Sequence, residues 1–484
     1  MNSREMSTMM TLSASPLPAE GIAPFAGARF SASLILAGLA LVLAPLLASF
    51  PLSLQAQTLS ITQTPPPVRH SGVTAVQAGM LFDGTGETTR SNVTILIRDG
   101  RIEEVGPQLQ VPAGAERIDL SDWTVLPGFA DLHTHLTGDP EDLGADRGGF
   151  LFQYPERAAL VGARNARATL LAGFTTVRDV GGAATSALAL RDAIAQGLVP
   201  GPRMITAIGI GTTGSHCDPT TGIRPGTADV SAGRAYVFDG AQEAESVVRK
   251  AVRDGADLIK VCATAGVLSL TDDIGPPQMT PAELEAVIST ASTLNRRVAA
   301  HAHGLEGITN AVRAGITTID HGSVLDDAIL AEMTRRGTWL VPTMMAYKAV
   351  VEMAEAGFLP PGPTQKTFDI APLVVASHRR AFASGVPVAF GTDAGVFAHG
   401  RNAGEFQLMV DAGMRPATAL LTATRNAAQA LGREDDLGTV EPGRWADLVA
   451  VQGNPLDDVS ILENVGFVMK EGVVYKRDGV PVAR

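Results

Sequence analysis

Between residues 127 and 432, short apolar segments alternate with alanine-rich amphipathic segments. The apolar segment ADLIKVCAT, for example, is followed by the helical segment PAELEAVISTASTLN, and this rhythm continues along the region. Strands that alternate with helices of this length predict a parallel sheet joined by crossover helices. Because about eight strands can be recognised, the sequence predicts an α/β fold whose sheet closes into a (β/α)8 TIM-like barrel.

The two ends of the chain have a different texture. Residues 73–126 contain DGTG and RDGR between short β-branched runs, and residues 433–484 contain KEG and RDG in the same setting. Such Gly-containing turns between apolar runs are typical of β-hairpins. We therefore expect both ends to combine in one small β-sandwich domain, beside the barrel at 127–432.

The N-terminal region has the features of a leader. The residues from Leu34 to Phe50 are almost all apolar, and they follow Arg29. A basic residue, an apolar stretch and small residues before a cleavage site are typical of an export signal. Residues 1–56 are therefore predicted to be an N-terminal extension and export signal that is cleaved after Ala56, which would make the mature protein periplasmic or secreted.

An uncleaved membrane anchor is the alternative, and Pro45 and Pro51 disfavour it because proline interrupts a spanning helix. We expect no stable membrane insertion after cleavage. The polar and proline-rich residues 57–72 are predicted to be a linker.

Charge and cysteine content narrow the class of protein. The formal net charge is −12 over 484 residues, which disfavours nucleic acid and anionic surfaces as partners. The two cysteines, Cys217 and Cys262, lack C-x-x-C spacing. We therefore expect two buried free thiols rather than a disulfide or a thiolate zinc site.

Side chains that can bind metal lie where several predicted strands end. His133 and His135 lie one residue apart in PGFADLHTHL, so both imidazoles point to the same side of an extended chain. Other predicted strands end with Lys260, His301, His303, His321 and Asp393. Barrel chemistry occurs at the carboxyl ends of the strands, and imidazole and carboxylate suit Zn²⁺ and related ions. The sequence therefore predicts a divalent-metal centre.

The segments PGFADLHTHL, DLIKVCATAG, VAAHAHG, TTIDHGS and FGTDAG resemble the motif series of the amidohydrolase superfamily. This resemblance extends from about Val73 to the C-terminus, and the lysine at the fourth strand is similar to that of the binuclear branch. GSHCDP before the lysine and HAHG after it resemble the Xaa-Pro dipeptidase (prolidase-like) group, which includes ochratoxin-degrading amidohydrolases.

The resemblance implies two divalent cations, with Zn²⁺ as the default, and a metal-bridging hydroxide as the nucleophile. The implied ligands are His133, His135, Lys260, His301, His321 and Asp393. Lys260 would bridge the cations as a carbamate formed with CO₂, because an ammonium group has no acceptor. Asp393 would also be catalytic, moving the proton from the hydroxide to the leaving amine.

Further residues are expected at the substrate. His303 lies on the same side of its strand as His301, so either could be a ligand. Relatives often have tyrosine in place of His303, so the resemblance implies that His301 is the ligand and that His303 contacts substrate. His216 is expected to join His303 at a free carboxylate, or alternatively to structure its own loop.

The remaining expectations concern the walls of the substrate pocket and a nearby pair of residues. Gly138 is expected to leave the pocket open, and Tyr347 and Tyr236 are candidate wall residues. Arg178 and Asp179 resemble a structural pair below the site, without a catalytic role.

These expectations describe a metal-dependent hydrolase of N-acyl amino acids or dipeptides with a free C-terminal carboxylate, which would be its small-molecule partners. Ochratoxin A, an amide of phenylalanine, fits this description. One alternative is a cyclic amidohydrolase of the imidazolonepropionase type, and another is a non-catalytic exported binding protein. The resemblance also implies a homo-oligomer, with octamers known in the group.

Overall fold

The computed structural model describes residues 72–140, 154, 156–182, 184–223, 233–270 and 272–482. The predicted export signal and all but the last residue of the predicted linker lie outside the described residues. Within the described ranges, we find no helix with the length and apolar character needed to cross a bilayer.

The strands are β1 (Val73–Leu81), β2 (Arg90–Arg98), β3 (Arg101–Pro107), β4 (Glu116–Pro127), β5 (Phe129–Thr134), β6 (Phe174–Asp179), β7 (Arg203–Thr212), β8 (Val237–Phe238), β9 (Leu258–Cys262), β10 (Val298–Ala302), β11 (Thr318–His321), β12 (Trp339–Val341), β13 (Leu448–Gln452), β14 (Phe467–Lys470), β15 (Val473–Arg477) and β16 (Val480–Pro481). The helices are α1 (Arg157–Leu171), α2 (Ala184–Ala195), α3 (Ala241–Arg253), α4 (Pro281–Thr293), α5 (Leu305–Ala314), α6 (Asp327–Arg336), α7 (Met344–Glu355), α8 (Pro361–Ser384), α9 (Gly404–Asp411), α10 (Pro416–Leu421) and α11 (Ala427–Leu431).

Seven parallel strands form the barrel, in the order β12, β11, β10, β9, β7, β6 and β5. Residues 388–394 lie between the two outer strands of this sheet. Val388 pairs with Leu340 of β12, and Ala394 pairs with Thr134 of β5, each in parallel. This segment therefore occupies the place of an eighth strand and closes the ring, as the (β/α)8 prediction requires.

Strands from both chain ends form a second sheet, in the order β16, β15, β14, β13, β4, β1, β2 and β3. The ends meet where β4 pairs antiparallel with β13. This mixed sheet has a hydrophobic core of its own, which includes Val76, Ile95, Leu448 and Phe467. The prediction that hairpins from the two ends combine is confirmed.

Helix boundaries follow the local sequence. Thr280 caps α4 by accepting a hydrogen bond from the Glu283 N–H, and the Glu283 side chain bonds back to the Thr280 backbone, with Pro281 at the first helical position. Gly337 ends α6 in the left-handed conformation, with φ of 72°, which glycine adopts without a steric penalty. These local rules place the helices, and with them the strand ends between them.

Cys217 and Cys262 form a disulfide, so the prediction of two free thiols was wrong. The two residues are 45 positions apart in sequence, but their Cα atoms are 5.6 Å apart. Spacing rules apply to cysteines that are close along the chain. Here the loop after β7 returns over the carboxyl end of β9, which only the barrel topology brings about.

Candidate metal centre

The predicted ligands lie at the carboxyl end of the barrel and point into it. In β9 and β10 alternate residues face opposite sides. Val261 packs in the large core shared with the helices, whereas Leu258 and Ala299 pack together in a separate cluster. Lys260 lies two residues after Leu258, and His301 lies two residues after Ala299. Their side chains therefore point to the same side as those of Leu258 and Ala299, which is into the barrel.

His133, His135 and Asp393 meet on one side of the site. The Nε2 atom of His135 is 2.9 Å from Asp393 Oδ1, and the Nε2 atom of His133 is 3.5 Å from the same oxygen. The backbone N–H of Asp393 donates to the His133 carbonyl at 2.8 Å, which fixes the two chain segments together. Three donor atoms of metal-binding type therefore converge at one point.

Two buried polar atoms at this point have charged neighbours but no aligned hydrogen bond. Neither His133 Nδ1 nor Asp393 Oδ1 makes an aligned hydrogen bond to any described residue, although both atoms are buried. Burying such atoms without a partner costs free energy. A divalent cation between the imidazoles and the carboxylate would remove this cost for Asp393, so the donor set fits a metal ion.

His301, His303 and His321 form a second group. Their possible ligand atoms all lie within 4.8 Å of one another, and the same holds for His133, His321 and Asp393. His321 therefore belongs to both groups. Each group could therefore hold a metal ion, and the two groups share one residue.

The protonation state of most of these imidazoles favours metal binding. Burial lowers the pKa of His133 to about 4 and that of His303 to about 3, and it lowers the pKa values of His301 and His321 well below the ordinary value. Each of these rings is therefore neutral near pH 7 and has a nitrogen lone pair to offer. His135 differs, because the adjacent Asp393 carboxylate outweighs the effect of burial and raises its pKa.

Hydrogen bonds orient the three histidines of the second group. His301 Nε2 is 3.2 Å from the Ala265 carbonyl, which can only accept, so Nε2 carries the proton and Nδ1 the lone pair. His321 Nδ1 bonds to Thr343 Oγ1 at 2.7 Å, which leaves Nε2 for a ligand. Partners of this kind fix ring orientation and tautomer in metal sites.

His303 is held differently from His301. Its Nδ1 atom is 2.6 Å from Ser323 Oγ and 2.7 Å from Tyr347 Oη, and the two hydroxyl groups also contact each other. The remaining nitrogen of His303, Nε2, is available either to a cation or to a substrate. The geometry therefore keeps both readings of His303 open.

Asp320 is a central residue that the sequence analysis missed. Its carboxylate lies 3.0 Å from Lys260 Nζ, 2.8 Å from the Arg178 guanidinium and 3.0 Å from His133 Nδ1, and it is fully buried. Arg178 thus pairs with Asp320 rather than with Asp179, which accepts the Leu136 N–H instead. The available clue was an acidic residue inside an apolar strand, since a buried charge needs a partner.

Burial also lowers the pKa of Lys260, although Asp320 opposes this. The neutral amine is the form of lysine that can react with CO₂. The surroundings of Lys260 are therefore compatible with the expected carbamate.

Two further buried acids connect the chain segments that surround the site. Asp131 accepts hydrogen bonds from the His133 N–H, from Thr392 and from Asn402, and so joins β5 to the segment that contains Asp393. Glu405 accepts the N–H groups of Met344 and Met345 at 2.7 Å each, at the start of α7. Both acids position the chain segments around the ligands.

Three residues of this site have a strained backbone conformation. His321, Thr343 and Asp393 have φ values of 73°, 52° and 60°, which non-glycine residues rarely adopt. Such conformations cost on the order of 1–3 kcal/mol each and persist where the surroundings impose them. His321 and Asp393 are predicted ligands and Thr343 is bonded to His321, so these three strained residues all belong to the candidate site.

A cavity opens directly beside the two histidine groups. Its polar lining consists of His216, His301, His303, His321 and Asp393. Its apolar lining includes Val267, Leu268, Ala346, Tyr347, Val350 and Val396. The predicted substrate contacts His216, His303 and Tyr347 are thus brought together at one cavity.

Two predicted wall residues lie elsewhere. Gly138 donates its N–H to the His135 carbonyl at 3.0 Å, and it is not among the residues that line this cavity. The hydroxyl of Tyr236 donates to Asp254 at 2.9 Å, away from the cavity lining.

Replacing Gly266 with alanine should displace His216 from the cavity. A Cβ atom at residue 266 would lie 2.5 Å from His216 Cε1, so the ring would have to move. We expect KM to rise about tenfold, as for the loss of one hydrogen bond to a charged group, with bound metal unchanged. Steady-state kinetics and elemental analysis would measure the two quantities.

Gly275→Ala is the matched control, because an added Cβ there meets no described atom within 4 Å. An unchanged KM in Gly266→Ala would contradict a role for His216 at the substrate.

The chain is also similar to known proteins in sequence and fold. Residues 124–476 match the sequence profile of the Amidohydrolase family. A solved structure of a Xaa-Pro dipeptidase with bound methionine in the active site has a TM-score of 0.80 and 38% identity, and the match covers 84% of this chain and 100% of that one.

Two curated relatives complete the comparison. Ochratoxinase from Aspergillus niger is 31% identical over 457 residues, or 89% of this chain and 91% of the relative. Imidazolonepropionase from Chromobacterium violaceum is 30% identical over 391 residues, or 73% of this chain and 84% of the relative. On this evidence of sequence, fold and site, the chain belongs to the amidohydrolase family and is a hydrolase that acts on amide bonds.

Proposed function

We propose that the chain is a binuclear metal-dependent enzyme that cleaves N-acyl amino acids and dipeptides with a free C-terminal carboxylate. The main support is the mixed lining of the cavity, which combines histidines and a carboxylate with the apolar side chains of Val267, Leu268 and Val350. An amino acid with an apolar side chain and a charged carboxylate has one group for the polar part of this lining and one for the apolar part. The methionine bound in the Xaa-Pro dipeptidase active site is a molecule of this kind.

The acyl group and leaving amino acid are proposed from the relatives. Ochratoxin A is an amide of phenylalanine, and the similarity to ochratoxinase makes it a candidate substrate. Dipeptides that end in proline are candidates from the similarity to the Xaa-Pro dipeptidase. Both leave an apolar amino acid with a free carboxylate.

Two cations would be held by His133, His135, Lys260, His301, His321 and Asp393. When bound, divalent cations activate water and polarise the amide carbonyl. Zn²⁺ is the default for these ligands. Addition of CO₂ to the neutral Lys260 amine would form an N–C bond and release one proton, giving the carboxylate oxygens that an ammonium lacks.

Asp393 is proposed as the general acid–base. The nearby His133 and His135 outweigh the effect of burial and keep the pKa of Asp393 below its ordinary value, so its carboxylate can accept a proton from the attacking water. It would then pass that proton to the departing nitrogen.

His303 and His216 are proposed to bind the substrate carboxylate. With His303 Nδ1 accepting the Tyr347 hydroxyl proton, Nε2 would donate to the anion. His216, at the rim, is stacked on His301 with ring centroids 4.6 Å apart.

The alternative is a cyclic amidohydrolase, which the similarity to imidazolonepropionase supports. Lys260 at the end of the fourth predicted strand favours the binuclear reading instead. A requirement for a free carboxylate in the substrate would separate the two. Residues 1–56 are proposed to direct export before cleavage after Ala56, and the mature chain is proposed to form a homo-oligomer.

Metal loading and substrate range test the proposal together. Purified enzyme should contain about two metal ions per chain and hydrolyse acyl and dipeptidyl derivatives of proline or phenylalanine, and chelation should abolish turnover until Zn²⁺ and bicarbonate are restored. Lys260→Ala should contain less metal and lose activity. Elemental analysis and an assay of released amino acid give both readouts.

Lys348→Ala is the control, since that lysine lies on α7 with its side chain 48% exposed. Turnover of cyclic amides with no hydrolysis of any carboxylate-bearing amide would contradict the proposal and favour the imidazolonepropionase-type alternative.

A further inference from the structure

The disulfide joins two elements of the candidate site. Cys262 is the last residue of β9 and lies two positions after Lys260. Cys217 is next to His216 in the loop of residues 213–223, which we call the His216 loop. The disulfide therefore bonds the segment that contains His216, a proposed substrate contact, to the strand that contains Lys260, a proposed metal ligand.

We propose that the Cys217–Cys262 disulfide is a positioning element that holds His216 at the cavity, so that oxidised enzyme binds substrate more tightly than reduced enzyme. This inference rests on the proposed function for its effect on substrate. It assigns no catalytic role to either cysteine, because neither is among the residues that line the cavity.

Most hydrogen bonds of the His216 loop shape it internally. Asp218 accepts the N–H groups of Gly214 and Thr220 at 2.9 Å each, and Thr221 Oγ1 donates to the Ser215 carbonyl. These bonds keep the loop compact, but they do not attach it to the barrel.

Among the described residues, polar side chains attach this loop to the rest of the chain at its start and at its centre. At its start, Thr213 bonds to Asp239 at 2.7 Å. At its centre, the His216 N–H donates to Gln278 Oε1 at 2.8 Å, and His216 Nδ1 bonds to Ser269 Oγ at 2.8 Å. The His216 bonds are exposed to solvent, where a hydrogen bond contributes little net stability. Besides the stacking of His216 on His301, the disulfide is an attachment that solvent cannot replace.

Strand β9 does not depend on the disulfide in the same way. It pairs with β7 on one side and with β10 on the other, and Cys262 lies opposite His301 in that register. Lys260 therefore stays in place when the bond is broken, whereas His216 belongs to no strand. Loss of the disulfide should weaken substrate binding and leave metal binding intact.

Reduction can reach the bond from one side. Cys262 is 3% exposed, but Cys217 is only partly buried. A water-soluble phosphine would break the S–S bond to give two thiols, while the phosphine becomes its oxide with oxygen from water. Unlike a dithiol, it does not offer the enzyme's cations a chelating pair of sulfurs.

The first measurement is hydrogen exchange followed by mass spectrometry. Phosphine-reduced wild type and Cys217→Ser/Cys262→Ser should both exchange faster than oxidised enzyme in peptides that cover 213–223. Peptides that cover β9 and β10 should keep their exchange rates. Equal rates in the His216 loop before and after reduction would overturn the proposal, whatever the substrate is.

The second measurement is the split between KM and kcat. Reduction should raise KM roughly 3- to 10-fold, the cost of ordering one side chain on binding, with kcat and bound metal unchanged. The serine double variant should match reduced wild type and should not respond to phosphine. A fall in metal content with an unchanged KM would contradict the proposal.

A His216→Ala background tests whether the disulfide acts through His216. In that background, loss of the disulfide should produce no further rise in KM, because coupled residues are not additive. An equal rise in KM with and without His216 would show that the disulfide has only a general structural role. If oxidised wild type hydrolyses no carboxylate-bearing amide, the proposed function fails, and the exchange rates still decide whether the disulfide positions the loop.

Discussion

Replacing Asp393 with asparagine is expected to lower kcat by about 10²–10⁴-fold, the usual contribution of a general acid–base. Asparagine keeps the size of the side chain but cannot accept the proton from the attacking water or return it to the leaving amine. Asp393 Oδ1 lies 2.9 Å from His135 Nε2, so the substitution also alters the site's charge. Initial-rate kinetics and elemental analysis of the same sample would measure turnover and bound metal.

Asp435→Asn is the matched control, because the Asp435 side chain is fully exposed. Its kcat should equal that of the wild type. If Asp393→Asn retains both full metal content and wild-type kcat, Asp393 is not the proton shuttle, and another group at the cavity must move the proton.

Asp320→Asn is expected to destabilise the protein by about 3–5 kcal/mol, because it removes one partner of a buried charge pair. The Arg178 guanidinium, with 3% of its side chain exposed, would lose its counter-charge inside the barrel. Total stabilities are only about 5–15 kcal/mol, so the loss would be large. Urea unfolding of metal-loaded enzyme would measure the free energy of unfolding.

Two control variants test whether the loss of stability comes from the unpaired buried charge. Glu245→Gln removes an exposed partner of Arg249 and should leave the free energy of unfolding nearly unchanged. The double variant Arg178→Met/Asp320→Asn should regain part of the loss, because no unpaired charge remains. A free energy of unfolding equal to wild type in Asp320→Asn would show that the pair is not required for stability.

Tertiary structure alone supplied the partners of the predicted ligands. Lys260 and Asp320 are 60 residues apart, and Arg178 and Asp320 are 142 residues apart. Nothing in the local pattern around TTIDH shows which cations will lie beside that carboxylate. The same reason explains the disulfide, because the contact between the loop after β7 and the end of β9 exists only in the closed barrel.

The sequence by itself determined where the candidate metal-binding side chains lie along the chain. Strand–helix alternation directs all carboxyl ends of parallel strands to one rim, and period-two alternation within β9 and β10 decides which side chains enter the barrel. His133, Lys260, His301 and Asp393 could therefore be chosen from their positions at strand ends. What only the folded chain decided was which of these groups touch and what orients them, because barrel closure brings together residues that sequence order keeps far apart.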